Sequence, residues 1–266
     1  MRTALDYDAA MNEAIQGELI DGIGAVRINR PEVLNVINLA TLEQLVSTLE
    51  RYDAEPAVRC LLLTGSERAF GSGADIAELA ATSMVDTYQR DSGAAWDRLR
   101  RVRKPIVVAV SGYAIGPACE LLLAGDIVVA SESTRISFPE VSMGALPGGG
   151  GTQRLARAVG KACVMDLLLT GRAITAREAL AMGLVSRVVP REHYYEEALN
   201  ICRELCKRPP LALQVAKQAV LTAYETTLSA GLSHERNLHY LLFGTADQRE
   251  GLRAFLEQRA AVFVGR

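Results

Sequence analysis

The chain lacks the features of a secreted, metal-bound or membrane-spanning protein. Its 266 residues include only five cysteines and three histidines, and no cysteine pair has the CxxC spacing of a metal site. We therefore expect reduced, buried thiols and no metal ion. No run of about 18 apolar residues could span a bilayer, and the first 16 residues lack the apolar core of a secretory signal. These absences predict a cytoplasmic protein without a membrane partner.

An excess of charge of one sign is also missing. The 29 Lys and Arg residues nearly balance the 31 Asp and Glu residues, which leaves a net charge of -2 and no general attraction for nucleic acid. The one dense basic stretch, RLRRVRK at 98–104, could hold RNA, but no aromatic residues are interleaved for base stacking. Cations also suit the negative end of a helix. We expect a solvated helix end here and no nucleic-acid partner.

Hydrophobic periodicity predicts an α/β fold. Residues 17–30 alternate around Asp21-Gly22, a strong hairpin signal. After this hairpin, segments with helix and strand patterns alternate. The predicted strands are 58–65, 105–112, 126–131 and 134–138, and the predicted helices are 39–56, about 84–101 and one from about 117. Beyond residue 190 the pattern is helical, with segments near 192–207, 210–227, 231–243 and 247–259.

Three glycine-containing stretches do not match known catalytic or phosphate-binding loops. PGGGGTQR at 147–154 lacks the Lys-Ser/Thr end of a P-loop. GIGAVR at 22–27 lacks the third glycine of a dinucleotide fingerprint and lies in the predicted hairpin. Ser72, in FGSGAD, lacks the spacing of a nucleophile elbow.

Two acids stand alone among apolar and small residues. Glu120 lies between GPAC and LLLAG, and Glu140 lies in SFPEVSMGALPGGGG. A buried carboxylate loses hydration, and a partner or a catalytic role must justify that loss. From these residues alone, backbone donors at helix starts would explain the acids as well as catalysis would.

Four stretches, in order and spacing, resemble the enoyl-CoA hydratase (crotonase) superfamily. They are AFGSGADIAELA (69–80), KPIVVAVSGYAIGPACELLLAGDIVVAS (104–131), SFPEVSMGALPGGGGTQRLARAVG (137–160) and LLLTGRAITAREALAMGLVSRVV (167–189). The resemblance implies a crotonase spiral of repeated β-β-α units over residues 1–190, which carries the CoA and active sites. It also implies a helical oligomerisation or lid region over 191–266, a homotrimer or homohexamer, and an acyl-CoA thioester substrate with no further cofactor.

The same resemblance assigns the two acids to the hydration of a trans-2-enoyl-CoA to a 3-hydroxyacyl-CoA. Glu120 would activate the water that attacks C3, and Glu140 would protonate C2. Family members that only shift a double bond commonly keep one acid or place it elsewhere, so the pair favours hydration. Enoyl-CoA isomerisation is the nearest alternative.

The resemblance also exposes an anomaly at position 117. In the family, two backbone N–H groups stabilise the thioester oxyanion, and they fall on Ala74 and position 117. Pro117 has no N–H, although proline suits the first position of a helix. Three outcomes follow: the Ala118 N–H replaces the donor, the enzyme works slowly with Ala74 alone, or the protein binds acyl-CoA without turnover.

The expected CoA contacts lie in two loops. By resemblance, Arg30 in NRP would contact a phosphate, although it could equally be a solvated residue at a strand end. Ser72, Gly73, Ala74 and Ile76 would line the adenine and pantetheine path. We expect Asp75 to cap a helix. Residues 79–97 should border the acyl tail, with Tyr88 and Trp96 as packing or acyl-pocket residues.

Overall fold

The computed structural model describes residues 13–91 and 93–266, so most of the segment tested above for a secretory signal lies outside the described residues. The strands of this part are β1 Ile15–Ile20, β2 Ile23–Ile28, β3 Cys60–Thr64, β4 Ala69–Gly71, β5 Ile106–Val110, β6 Tyr113–Ile115, β7 Ile127–Ser131, β8 Arg135–Ser137, β9 Ile174–Thr175 and β10 Arg187–Val189. Its α-helices are α1 Leu39–Ala54, α2 Ile76–Ala81, α3 Met84–Gln89, α4 Ala94–Leu99, α5 Pro117–Ala124, α6 Gly151–Thr170, α7 Ala176–Ala181, α8 Tyr194–Cys206, α9 Pro210–Thr222, α10 Leu228–Leu242 and α11 Ala246–Leu256.

The strands form two sheets, and the chain passes between them in each turn of a spiral. The larger sheet has the order β1-β2-β3-β5-β7-β10, and the smaller one has the order β4-β6-β8-β9. Strands β3, β5 and β7 are parallel neighbours in the larger sheet. Each is followed by a strand of the smaller sheet, where β4, β6 and β8 are also parallel. The expected α/β spiral of β-β-α units is confirmed.

The central strands β3 and β5 of the larger sheet are buried on both faces. All five residues of β3, CLLLT, are buried, as expected for a central parallel strand. Leu61 and Leu63 face the main core, which lies between the sheet and the helices α1, α5 and α6. Cys60 and Leu62 face the opposite way and pack in a second cluster with residues of α8. Helix α8 therefore joins the C-terminal helices to the sheet.

Most predicted elements are present, with one clear correction. The hairpin forms as β1 and β2 around Asp21-Gly22, both of which have positive φ. The predicted helix over 84–101 is wrong, because two short helices, α3 and α4, occupy this stretch. Asp91, at φ 46°, takes a left-handed conformation between them and interrupts the helix. The C-terminal helices α8 to α11 form within five residues of their predicted bounds. Among the described residues, no helix is both long enough and apolar enough to cross a bilayer.

The basic stretch 98–104 is largely engaged within the fold. Arg98 forms ion pairs with Glu43 and Glu50 on α1. Lys104 is buried, and its Nζ donates to the carbonyl oxygens of Tyr52 and Glu55 at 2.8 and 2.6 Å. These carbonyls lie at the C-terminal end of α1, where a cation is favoured. Arg98 thus lies in the last turn of a helix, α4, as expected, whereas Lys104 binds the C-terminal end of α1.

A glycine marks the point where the second turn of the spiral changes sheet. Gly112 joins β5 to β6, its φ is +64°, and a Cβ placed on it would lie 1.9 Å from the carbonyl oxygen of Arg68. That carbonyl accepts the N–H of Tyr113, which fixes the start of β6. No side chain fits at this position without displacing the backbone.

We predict that Gly112→Ala strongly destabilises the protein or prevents its folding, because both the left-handed φ and the contact with Arg68 oppose a side chain. The matched control is Gly231→Ala in α10, where the added Cβ would meet only ordinary contacts at 3.6 Å. We expect this variant to gain about 0.5–1 kcal/mol, because alanine is the better helix former. Urea denaturation measures both changes, and equal effects would contradict the prediction.

Candidate active site

The carboxylate of Glu120 is held in a cradle of backbone N–H groups. Helix α5 starts directly after Gly116 and carries Glu120 in its first turn, where the side chain is 2% exposed. One carboxylate oxygen, Oε1, accepts hydrogen bonds from the N–H groups of Gly149 and Gly151 at 2.7 and 2.6 Å. Both donors lie at the start of α6, whose dipole also favours a negative charge. The glycine run that fails as a phosphate loop thus binds the carboxylate of Glu120.

Glycine is required at positions 149, 150 and 151, either by a close contact or by the backbone conformation. A Cβ on Gly151 would lie 3.0 Å from Oε1 of Glu120, and one on Gly149 would lie 2.3 Å from Cε2 of Trp96. Gly150, between them, has φ +106°, which side chains rarely adopt. The indole of Trp96 therefore covers the cradle, in agreement with a packing role for this residue.

Glu140 approaches the start of α5 from the third turn of the spiral. It begins a short 3₁₀ turn, Glu140–Met143, that follows β8, and it is 8% exposed. A Cβ on Gly116 would lie 2.8 Å from Oε1 of Glu140, so the carboxyl packs against the glycine that precedes Pro117. Neither carboxyl oxygen of Glu140 has a hydrogen-bond partner among the described residues.

The two acids have different electrostatic surroundings. Burial raises the pKa of Glu120, but the N–H groups of Gly151 and Gly149 and the charge of Arg154 oppose that rise. Burial also raises the pKa of Glu140, and only its own backbone N–H opposes this effect, without reaching hydrogen-bond geometry. Donors and a cation favour the ionised form of Glu120, whereas the dry surroundings of Glu140 favour the protonated form.

The loop that follows β4, in the first turn of the spiral, also reaches the start of α5. Strands β4 and β6 are parallel neighbours, so the segments that follow them leave the sheet side by side. A Cβ on Gly71 would lie 2.7 Å from the Cβ of Ala118, and one on Gly73 would lie 3.8 Å from a methyl group of Ile115. Among the described residues, no acceptor takes the N–H of Ala74. Ala74 and the start of α5 therefore lie close together.

Pro117 occupies the first position of α5, as expected. Its ring leaves no N–H at this position, so Ala118 provides the first N–H of the helix. Ala118 is fully buried. The N–H groups of a first helical turn have no partner within the helix and point out of its N-terminal end.

The loop after β2 supports the loop that carries Ala74. Arg30 donates through Nη1 to the carbonyl of Val36 at 2.9 Å, and Ser72 donates to the carbonyl of Val33 at 3.3 Å. Asn35, which the sequence analysis missed, is fully buried and donates to the carbonyl of Ala69 at 2.8 Å. Its φ of 58° lies in the left-handed region, and the sequence alone does not reveal that conformation. Arg30 and Ser72 are therefore parts of one connected pair of loops.

Ile76, the last residue of the expected CoA path, and its neighbour Asp75 have different environments. Ile76, at the start of α2, is 53% exposed and free to meet a ligand. Asp75 caps this helix, since its Oδ1 accepts the N–H groups of Ala77 and Glu78 at 3.1 and 3.2 Å. The predicted capping role of Asp75 is confirmed.

Residues 18–266 match the model of one family, enoyl-CoA hydratase/isomerase. The chain belongs to that family. A probable enoyl-CoA hydratase of Mycobacterium leprae is 42% identical over 93% of this chain and 98% of its own length. The 2,3-dehydroadipyl-CoA hydratase of Escherichia coli K12 is 43% identical over 90% of this chain and 94% of its own. The resemblance seen in the sequence is confirmed.

Solved structures of the enoyl-CoA hydratase/isomerase family agree in fold. An enoyl-CoA hydratase subunit from Geobacillus kaustophilus superposes with a TM-score of 0.93 at 39% identity and covers 96% of this chain and 99% of its own. The enoyl-CoA hydratase of Bacillus anthracis gives a TM-score of 0.90 at 32% identity, with 96% and 100% coverage. Both confirm the crotonase fold.

We predict that Glu140→Gln stabilises the protein at pH 8 but not near pH 4. The pKa of Glu140 is raised in the folded state, so ionisation costs stability as the pH rises from the ordinary glutamate pKa through the folded one. An uncharged glutamine avoids this cost. Denaturation at both pH values measures the difference, and Glu18→Gln on the exposed part of β1 is the matched control. A gain that does not depend on pH would contradict the prediction.

Proposed function

We propose that this protein hydrates a trans-2-enoyl-CoA to a 3-hydroxyacyl-CoA. The observation that carries the proposal is the pair of buried carboxyls at the start of α5: Glu120 holds two backbone donors, and Glu140 holds none. Water addition needs one group that accepts a proton and another that donates one. The different surroundings of the two acids support Glu120 as the proton acceptor and Glu140 as the proton donor.

In the proposed reaction, water binds between the two carboxyls. Glu120 accepts a proton from the water as its oxygen attacks C3, and Glu140 gives a proton to C2, so that H and OH add across the double bond. Glu120 then carries the proton taken from water and Glu140 is ionised, and exchange of protons with solvent restores the starting state of both acids. The raised pKa of Glu140, caused by its burial, favours the protonated form that this role requires.

The thioester oxygen gains negative charge during this attack. We propose that the N–H groups of Ala74 and Ala118 stabilise it, with Pro117 at the position that the family fills with a donor. The open N–H of Ala74 and the position of Ala118 at the N-terminal end of a helix support this choice. Charge stabilisation of this kind is worth about 2.7–4 kcal/mol per donor.

We place CoA along the paired loops. Ser72, Gly73, Ala74 and Ile76 would line the adenine and pantetheine path, and Arg30 would contact a phosphate. The Nη1 of Arg30 is occupied by Val36 and Thr41, but its other guanidinium nitrogens have no acceptor among the described residues. That half of the guanidinium is suited to bind an anion.

Our proposals for localisation, cofactor need and assembly follow the sequence analysis. We propose a cytoplasmic enzyme of fatty-acid or related acyl-CoA breakdown that needs no metal or further cofactor. Residues 1–190 would form the catalytic core, and 191–266 would assemble a homotrimer or homohexamer. Large apolar side chains on the C-terminal helices support an assembly role, because Leu228, Phe255 and Leu256 are 80 to 82% exposed.

We predict that the purified protein removes the conjugated-thioester absorbance of crotonyl-CoA. Glu120→Gln and Glu140→Gln should each lower kcat by about 10²–10⁴-fold, because each removes one proton-transfer group. Glu18→Gln, distant from the site, should leave turnover unchanged. Activity towards a 3-enoyl-CoA without hydration would indicate the isomerase, and CoA-ester binding without turnover would indicate the acyl-CoA-binding protein that Pro117 suggests.

We further predict that Pro117→Gly changes kcat by less than about tenfold, because Ala118 already supplies the second donor. The same substitution at Pro210, also the first residue of a helix, controls for the loss of helix stability. Stopped-flow or steady-state hydration rates provide the measurement. A rise of about 10²–10³-fold in Pro117→Gly would show that wild type lacks a donor.

A further inference from the structure

An arginine that the sequence analysis did not assign lies behind the cradle of Glu120. Arg154, in the first turn of α6, is half-buried, and its Nη1 donates to the carbonyl oxygen of Gly149. No described Asp or Glu forms an ion pair with it. Burial lowers the pKa of Arg154, which means that its surroundings oppose the charge. An unpaired, partly buried guanidinium is costly, and packing alone does not explain it.

The guanidinium contacts the segment that carries both donors. Gly149 binds Arg154 through its carbonyl and Glu120 through its N–H. A Cβ on Gly150 would lie 2.3 Å from Nη1 of Arg154, so the guanidinium also packs against the residue between the two donors. A shift of Arg154 would therefore move the N–H groups of Gly149 and Gly151.

Among the described residues, Arg154 is the cation whose charge lowers the pKa of Glu120. Burial raises the pKa of Glu120, an ionised Glu140 would raise it further, and the charge of Arg154 lowers it. The Cys119 thiol, on the same helix, is fully buried with a raised pKa and stays neutral. On the other side of Arg154, Asp97 attracts the guanidinium and Arg100 repels it.

We propose that Arg154 is a positioning residue: it holds the glycine cradle on Glu120 and keeps Glu120 the ionised member of the acid pair. This inference rests on the proposed hydratase function. In this proposal Arg154 acts through the backbone of Gly149 and through its charge, not by contact with the reacting atoms. Without it, two adjacent buried carboxyls would compete for one proton, and the assignment of base and acid would weaken.

The test compares Arg154→Gln with Arg154→Lys, since only the lysine keeps the charge. We measure kcat/KM for crotonyl-CoA as a function of pH. The midpoint of the low-pH side of this profile, the acid limb, should rise by about one pH unit in Arg154→Gln, because loss of a nearby cation raises the pKa of the base. The limb should stay near the wild-type position in Arg154→Lys. Arg157→Gln is the matched control: Arg157 lies one turn further along α6, is exposed, and also donates to a carbonyl.

A second readout does not depend on turnover. The infrared band of the protonated Glu120 carboxyl, assigned by its loss in Glu120→Gln, should titrate at higher pH in Arg154→Gln than in wild type. An unchanged limb and an unchanged band would overturn the inference, even if kcat falls through a purely structural effect. A shifted band in a protein without hydratase turnover would support Arg154 and overturn the proposed function instead.

Discussion

The structure of the site depends on the burial of one carboxylate, that of Glu120. A charge that is 2% exposed must find donors within the protein, and here they come from the backbone of Gly149 and Gly151. These N–H groups reach the carboxylate only because the residues have no side chains. The chain then enters α6 directly, which adds the positive end of a helix dipole, and Trp96 closes the remaining space.

This constraint also accounts for the difference between the acids. The donors of the α6 start converge on Glu120 and leave none for Glu140, which lies against the Cα of Gly116 instead. Burial raises the pKa of both carboxyls, but donors and a cation oppose the rise only at Glu120, so the two acids have different surroundings despite their identical chemistry. An acid and a base arise without a histidine or a metal ion in the proposed reaction.

Apolar runs of strand length and isolated acids are local signals, so the sequence predicts the alternation of strands and helices and the burial of the two acids. The hairpin at Asp21-Gly22 and the helix that starts at Pro117 are examples. The spiral was predicted only by the family resemblance. The break at Asp91 was missed, because a left-handed residue other than glycine leaves no mark on periodicity. The partner of Glu120 was missed for another reason: a donor 29 residues away in sequence becomes its neighbour only through the packing of α5 on α6.

The parallel strands of the smaller sheet determine the scale of the site. Strands β4, β6 and β8 have three residues each, and the chain after them delivers Ala74, the start of α5 and Glu140 in turn. Neighbouring strands lie about 4.8 Å apart, a distance of only a few covalent bonds. The spacing of the strands therefore sets the distances between these three parts of the site. This spacing suits a reaction whose changing atoms span a few bonds, as in a conjugated thioester.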